Sequence, residues 1–335
     1  MSETVQSLVR EALVWDAHAG FAPEVDIDFA ILEPWREAGV DHVSLNVGYD
    51  AMPWNESLRA ARDYHDRLTD TPGVRLVSTV DDVLAARTAG ELAVSLDLEG
   101  ACALNGDLGL VEEYHRLGVR QMLFAYNRNN EMGGGCHDDD SGITALGREA
   151  VVEMNRLGMV VDASHCGKRT ALDLMESSST PVVFSHSNAR AVRSHGRNID
   201  DDLIRACAEQ DGVIGLCGIG IFLGDNDDRP GTMADHACHI ADLVGTRHVA
   251  LGIDWAPPTP SMPDLSAFVA TRPDFWPAGH GYEVEDLRIM RPERIADLCD
   301  VLSVRGWTRE DLIGLLGGNF LRVARAAWPE PDHRG

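Results

Sequence analysis

The chain has 335 residues, 44% of them hydrophobic, enough to bury a sizeable core and, by length, expected to form one domain over 1–335. A formal net charge of -25 excludes nucleic acid and anionic membrane as natural partners, because both demand a basic patch and none is visible. No apolar run approaches the ~20 residues of a membrane-spanning helix. The seven cysteines (Cys102, Cys136, Cys166, Cys207, Cys217, Cys238 and Cys299) form no C-x-x-C pair, so reduced, mostly buried thiols are expected.

In chain order, the opening MSETVQSLVREALVWD reads as a short amphipathic stretch without the basic, apolar and small-residue parts of a signal peptide, and a cytoplasmic location is expected. Eight short, continuous apolar runs follow: LVWDAHA (13–19), DHVSLNVG (41–48), LAVSLDLEG (92–100), RQMLFAYN (120–127), MVVDASH (159–165), PVVFSHS (181–187), GVIGLCGIG (212–220) and HVALGID (248–254). Continuous runs of this kind are what strands buried on both faces of a parallel sheet look like. A ninth, VRLVST at 74–79, reads as an accessory strand.

Between the runs lie helical patterns. Leu110, Val111, Tyr114 and Leu117 share one face, as do Leu203, Ile204 and Cys207 behind acidic cap candidates at 200–202. Gly39, Gly118 and Gly158 stand where a helix hands over to a strand, the place for a left-handed cap. Eight strands alternating with helices predict an α/β fold of the (β/α)8 TIM-barrel type, with a doubly wound open sheet as the alternative. The Pro-rich stretch 257–277 reads as a long loop after the last strand, suited to a lid or to the contact of a homodimer.

Polar residues close these runs: His18, Glu99, Tyr126, His165, His186 and Asp254. Barrel enzymes place catalytic groups at such positions. One His at a strand end is more often a hydrogen-bonded structural residue, but three imidazoles and two carboxylates on one rim are costly to bury unless they share a cation. The mixed N/O set suits zinc first, with manganese or cobalt as substitutes.

At these residues the chain resembles the renal (membrane) dipeptidase family of the amidohydrolase superfamily, over most of its length. Asp16-Ala17-His18, Asp97-Leu98-Glu99-Gly100, Asp162-Ala163-Ser164-His165, Ser185-His186-Ser187-Asn188-Ala189-Arg190 and Gly318-Asn319-Phe320 carry the likeness. The resemblance implies hydrolysis of L-X-L-X or L-X-D-X dipeptides by a metal-activated hydroxide. It implies that Glu99 bridges two zinc ions per subunit, that His165 and His186 hold one, and that His18 helps to hold the other. Asp254 would carry the proton and Arg197 would grip the substrate's terminal carboxylate. Arg197 has a plainer reading as well, pairing with Asp200, Asp201 or Asp202.

Two departures stand out. Gly20 occupies the place of the family's second acid in D-x-H-x-D, so the His18 site is expected to be the weaker, drawing on Glu99, Asp254 or an acid among Glu24, Asp26 and Asp28. Tyr126 stands where the family has a His, and could donate to the oxyanion or set substrate choice. Rival readings are an amidohydrolase acting on an acyl-amino acid, another amide or a lactone, and a non-catalytic metal-binding relative.

Three further features are set aside. His236 and His239 lack a third ligand, the loop 133–140 lacks the ending of a phosphate loop and reads as a flexible active-site loop, and Asp225-Asn226-Asp227-Asp228 reads as a solvated turn.

Overall fold

The computed structural model describes residues 3–20 and 22–328. The ends of the expected 1–335 domain and the first two residues of the opening stretch lie outside the described residues.

The predicted runs become strands β1 (Trp15–Ala19), β2 (His42–Tyr49), β3 (Val74–Leu76), β4 (Leu92–Glu99), β5 (Val119–Leu123), β6 (Val160–Asp162), β7 (Ile214–Leu216) and β8 (Val249–Leu251), with helices between them. Every pair is parallel, and the sheet order is β6-β5-β4-β2-β1-β8-β7. The accessory strand is real: β3 pairs with the first half of β4, starting at Val74 opposite Leu92, while the second half of β4 pairs with β5. Without β3 the order follows the chain round the sheet, lacking the reversal that marks a doubly wound fold.

The sixth expected run is a correction. No strand is assigned at 181–187, where two single bridges stand instead, Asp162 to Val183 and Phe184 to Ile214. The physical reason lies in its acceptors. Val183 N bonds Val161 O on one side and Phe184 N bonds Val213 O on the other, both at 3.0 Å. The next two amides are then taken by side chains: Ser185 N by Asp162 Oδ1 at 3.1 Å and His186 N by Ser164 Oγ at 3.2 Å. The segment thus joins the edges of β6 and β7 without running a ladder along either. What the described residues form is an α/β fold with a curled parallel sheet.

The helices cover the sheet as their patterns require. In the helix Asp201–Glu209 the Asp200 side chain accepts from Leu203 N, and Leu203, Ile204 and Cys207 are buried. Gly39, Gly118 and Gly158 have φ of 77°, 104° and 83°, the cap conformation expected of them. The Gly318-Asn319-Phe320 motif sits at the opposite end of the sheet from the polar rim. Asn319 Nδ2 donates to Thr246 O and Val249 O, both at 2.8 Å, and Phe320 stacks on Trp15 at 5.3 Å. No described helix is long and apolar enough to cross a membrane.

Candidate metal centre

Because all strands are parallel, residues at their C-terminal ends share one rim. His18 in β1, Glu99 at the end of β4, His165 three residues beyond β6, His186 beyond the bridging segment and Asp254 three residues beyond β8 meet there, all buried. His165 and Asp254 both have positive φ, 62° and 58°, so the chain turns sharply as it leaves the sheet and directs each side chain back over it.

The centre of the arrangement is one oxygen. Glu99 Oε1 lies 3.2 Å from His165 Nε2 and 3.3 Å from both His18 Nε2 and His186 Nε2. The other oxygen, Oε2, accepts from Asn46 Nδ2 at 2.7 Å. Each imidazole is held from behind through Nδ1: His18 by Asp97 Oδ2 at 3.3 Å, His165 by Asn127 Oδ1 at 2.7 Å and His186 by Ser185 Oγ at 2.8 Å. An imidazole that gives its Nδ1 proton to a neighbour presents a bare Nε2 lone pair, the usual way a metal-binding His is oriented.

A test of fit follows from this. Burial, with Arg197 adding to it, pushes the His165 pKa down to about 3, so the ring is neutral with its proton on Nδ1. Its Nε2 then faces a carboxylate oxygen acceptor to acceptor, and His186 Nε2 stands 2.9 Å away. Such crowding of lone pairs is unfavourable unless a cation lies between them. Buried His18 Nε2 also has no hydrogen-bond partner among the described residues, and His18, Glu99 and His186 form a set able to hold a metal ion. Burial disfavours charge on His18, but Asp97 and Glu99 outweigh it and hold its pKa above the ordinary value. The residues present therefore fit a metal ion.

Asp254 completes the rim. Its Oδ1 is 3.6 Å from His18 Nε2, and its Oδ2 accepts from the Cys217 thiol at 3.4 Å. Burial pushes its pKa up to about 7, with His18 opposing the rise and Glu99 adding to it. A Cβ at Gly20 would stand 1.9 Å from Asp254 Oδ1, so the carboxylate occupies the space a side chain at position 20 would need. The loop acids do not join. Glu24 Oε2 accepts from Ser261 N at 3.1 Å, Asp28 caps Ala30 N at 2.9 Å, and Asp26 is exposed.

Tyr126 stacks on His165, ring centroids 4.1 Å apart and 21° between planes. With Glu99, Asn127, His165, Asp254 and Gly20 it lines a cavity of ≈ 60 Å³. The segment 256–290, which takes in the expected loop 257–277 but carries a short helix at Leu265–Ala270, roofs that cavity with Leu265, Val269, Trp276, Tyr282 and Leu287. A second cavity of ≈ 150 Å³ also has His165 in its wall and is lined by Arg197. Arg197 is 3% exposed, Nη2 donates to His186 O at 3.1 Å, and the guanidinium lies over the Phe222 ring at 5.4 Å. Its Nε has no partner, and no described carboxylate pairs with it. The acids of the neighbouring helix are taken elsewhere: Lys168 bonds Asp200 at 3.0 Å and Asp202 at 2.8 Å, and His239 bonds Asp201 at 2.8 Å.

The features set aside resolve as structure. His236 bridges Ala189 N and Leu223 O, away from His239. Asp227 bonds Arg229 and Thr232 at its turn. The loop 133–140, expected to be flexible, is pinned beside the site: Cys136 N donates to His165 O and His137 N to Asn127 O, both at 2.9 Å. Sequence reasoning assigned no role to Asp97, Asn46, Asn127, Ser185 or Cys217. For Asp97 a signal existed, since it lies two residues before Glu99 and so on the same face of β4.

A parallel α/β sheet with a buried His/Glu cluster at its C-terminal rim places residues able to hold a metal ion where such folds carry their functional groups. A family model of the membrane dipeptidases, peptidase family M19, matches residues 54–269, and the chain belongs to that family. The matched part includes Glu99, Tyr126, His165, His186, Arg197 and Asp254 but begins after His18 and Gly20. An uncharacterized dipeptidase of Schizosaccharomyces pombe is 31% identical over 263 residues, covering 75% of this chain and 57% of the relative. Dipeptidase aclJ of Aspergillus oryzae is 32% identical over 241 residues, 70% of this chain and 51% of the relative. The chain thus spans about half the length of the curated relatives it matches.

Among solved structures, an amidohydrolase from Pseudomonas aeruginosa superimposes with a TM-score of 0.86 at 23% identity, over 97% of this chain and 99% of that one. A metallo peptidase from Rhodobacter sphaeroides, liganded with a phosphinate mimic of the dipeptide L-Ala-D-Ala, gives 0.73 at 20% identity, over 95% and 99%. At these identities the likeness is one of fold.

Proposed function

We propose that the chain is a metal-dependent dipeptidase that cleaves L-X-L-X or L-X-D-X dipeptides, built as one closed (β/α)8 barrel domain. The observation that carries the reading is the convergence of three imidazole Nε2 atoms on Glu99 Oε1 at 3.2–3.3 Å. The bridges at Val183 and Phe184, which link β6 to β7, support closure of the barrel. Family membership and the L-Ala-D-Ala mimic in the Rhodobacter protein support the substrate class.

Glu99, His165 and His186 would hold one zinc ion, and His18, Glu99 and Asp254 a second, weaker one, with manganese or cobalt as substitutes. Zinc held there would supply a Lewis acid for the amide carbonyl and make water acidic enough to serve as nucleophile near neutral pH. Asp254, drawn up to about 7, is suited to take the proton and deliver it to the leaving nitrogen. Tyr126 borders the cavity, where its hydroxyl can donate to the oxyanion. Arg197, buried with no carboxylate of its own, is read as the partner of the substrate's terminal carboxylate. The apolar roof excludes water and favours apolar side chains on the substrate. Seven free cysteines support a reducing, cytoplasmic location.

Metal analysis of the purified protein, with a dipeptide library assayed beside acyl-amino acids and lactones, tests the reading. Bound zinc and preference for dipeptides are expected. Preference for lactones or acyl-amino acids would transfer the machinery to another substrate, and a metal-free protein inert toward every class would reject it.

A further inference from the structure

Asn127 is wholly buried and its φ is 61°, a left-handed conformation that Asn tolerates better than most residues. Both ends of its amide are committed. Oδ1 accepts from His165 Nδ1 at 2.7 Å, and Nδ2 donates to Phe275 O at 3.1 Å. Phe275 belongs to the roof, next to Trp276, whose ring meets Tyr126 edge-on at 5.8 Å. Tyr126 in turn covers the face of His165. The next residue continues the link, Arg128 Nη1 donating to Asp274 O at 2.7 Å. Two constraints on the His165 ring, its stacked face and its Nδ1 proton, therefore come from neighbouring residues that also grip the roof.

We propose that Asn127 is a positioning residue that sets the His165 ring with its amide oxygen and the roof with its amide nitrogen, so that roof placement and ligand geometry are fixed together. The proposal rests on the reading of His165 as a metal ligand. The carbonyl oxygen keeps the His165 proton on Nδ1 and its lone pair on Nε2 aimed at Glu99, an arrangement whose loss typically weakens metal binding by about 10–100-fold. The amide nitrogen acts on a different partner, so the two halves can be separated.

Asn127→Asp keeps an acceptor for His165 Nδ1 and removes the donor to Phe275 O, while Asn127→Leu removes both. Zinc affinity by chelator competition and hydrogen exchange of peptides covering 272–282 are measured on the zinc-loaded full chain. In Asn127→Asp, roof exchange is expected to rise about tenfold, the effect of one buried hydrogen bond, with zinc affinity within about threefold of wild type. In Asn127→Leu, zinc affinity is expected to fall about tenfold or more as well.

Wild-type roof exchange in Asn127→Asp, or wild-type zinc affinity in Asn127→Leu, would overturn the proposal. So would a rise in exchange spread evenly over β1 to β8 in both variants, which marks general destabilisation. A wild-type protein that binds no zinc fails differently: it overturns the metal reading itself, and the ligand half of the proposal with it.

Discussion

The carboxylate of Asp254 fills the space that a side chain at Gly20 would occupy, with only 1.9 Å between Oδ1 and the position of a Cβ there. A weaker His18 site, as expected from Gly20, suggests that Gly20→Asp would supply the missing ligand. The geometry reverses that expectation: any side chain at 20 must displace Asp254. Gly20→Ala is therefore predicted to lower kcat by about 10²-fold, the scale of a 1 Å misplacement of a catalytic group. Zinc held by Glu99, His165 and His186 should remain. Kinetics beside metal content check this, and a fully active Gly20→Ala would show that Asp254 works from another position.

Asp254→Asn keeps the shape and removes the proposed proton acceptor. We expect kcat to fall by about two to four orders of magnitude with the tighter metal retained. Near-normal kcat would remove Asp254 from the mechanism.

Arg197 is predicted to recognise a free carboxylate, a charge-assisted contact of ~1.5–3 kcal/mol. Wild type should favour a dipeptide over its C-terminal amide by about 10–10²-fold in kcat/KM, and Arg197→Ala should level the two. Equal rates on acid and amide in wild type would return Arg197 to a purely structural role.

Two unequal metal sites are expected, because the His18 side lacks the acid that Gly20 replaces. Titrating zinc into the apo-protein should show two steps, and His18→Ala should abolish the weaker while leaving the tighter almost unchanged. Two equally tight steps would contradict the assignment.

His42 opens β2, buried and stacked on Trp15 at 3.7 Å with Nε2 3.1 Å from Ser95 Oγ. Burial pushes its pKa down from 6.5 to about 3. The unfolded chain takes up a proton there below about 6.5 while the folded chain does not until about 3. His42's contribution is therefore unimpaired above pH 6.5 and declines as pH falls toward 3, by at most about 1.4 kcal/mol per pH unit. The fall in Tm between pH 7.5 and pH 5 should be smaller in His42→Gln than in wild type, and an identical fall would refute the assignment.

The rim residues His18, Glu99, His165, His186 and Asp254 were legible because each closes an apolar run, and parallel strands bring such ends together whatever the loops do. The strands were legible for the same reason, except at 181–187, where Asp162 and Ser164 capture the amides of Ser185 and His186. That substitution of side chain for backbone leaves no trace in an apolar pattern. Asn127 and Cys217 were hidden for a related reason. Their partners Phe275 and Asp254 lie 148 and 37 residues away, and such contacts are made by the loops. The clash at Gly20 was equally invisible, since it depends on the turn that carries Asp254 back over β1.

The central claim, that hydrolysis depends on metal held by Glu99 and its three imidazoles, is tested most directly by dipeptide hydrolysis before chelation, after it, and after zinc is restored. The account predicts loss of activity with the metal and its return as zinc is added back in proportion to the sites. Undiminished hydrolysis by metal-free protein, or none by the fully loaded protein, would contradict it.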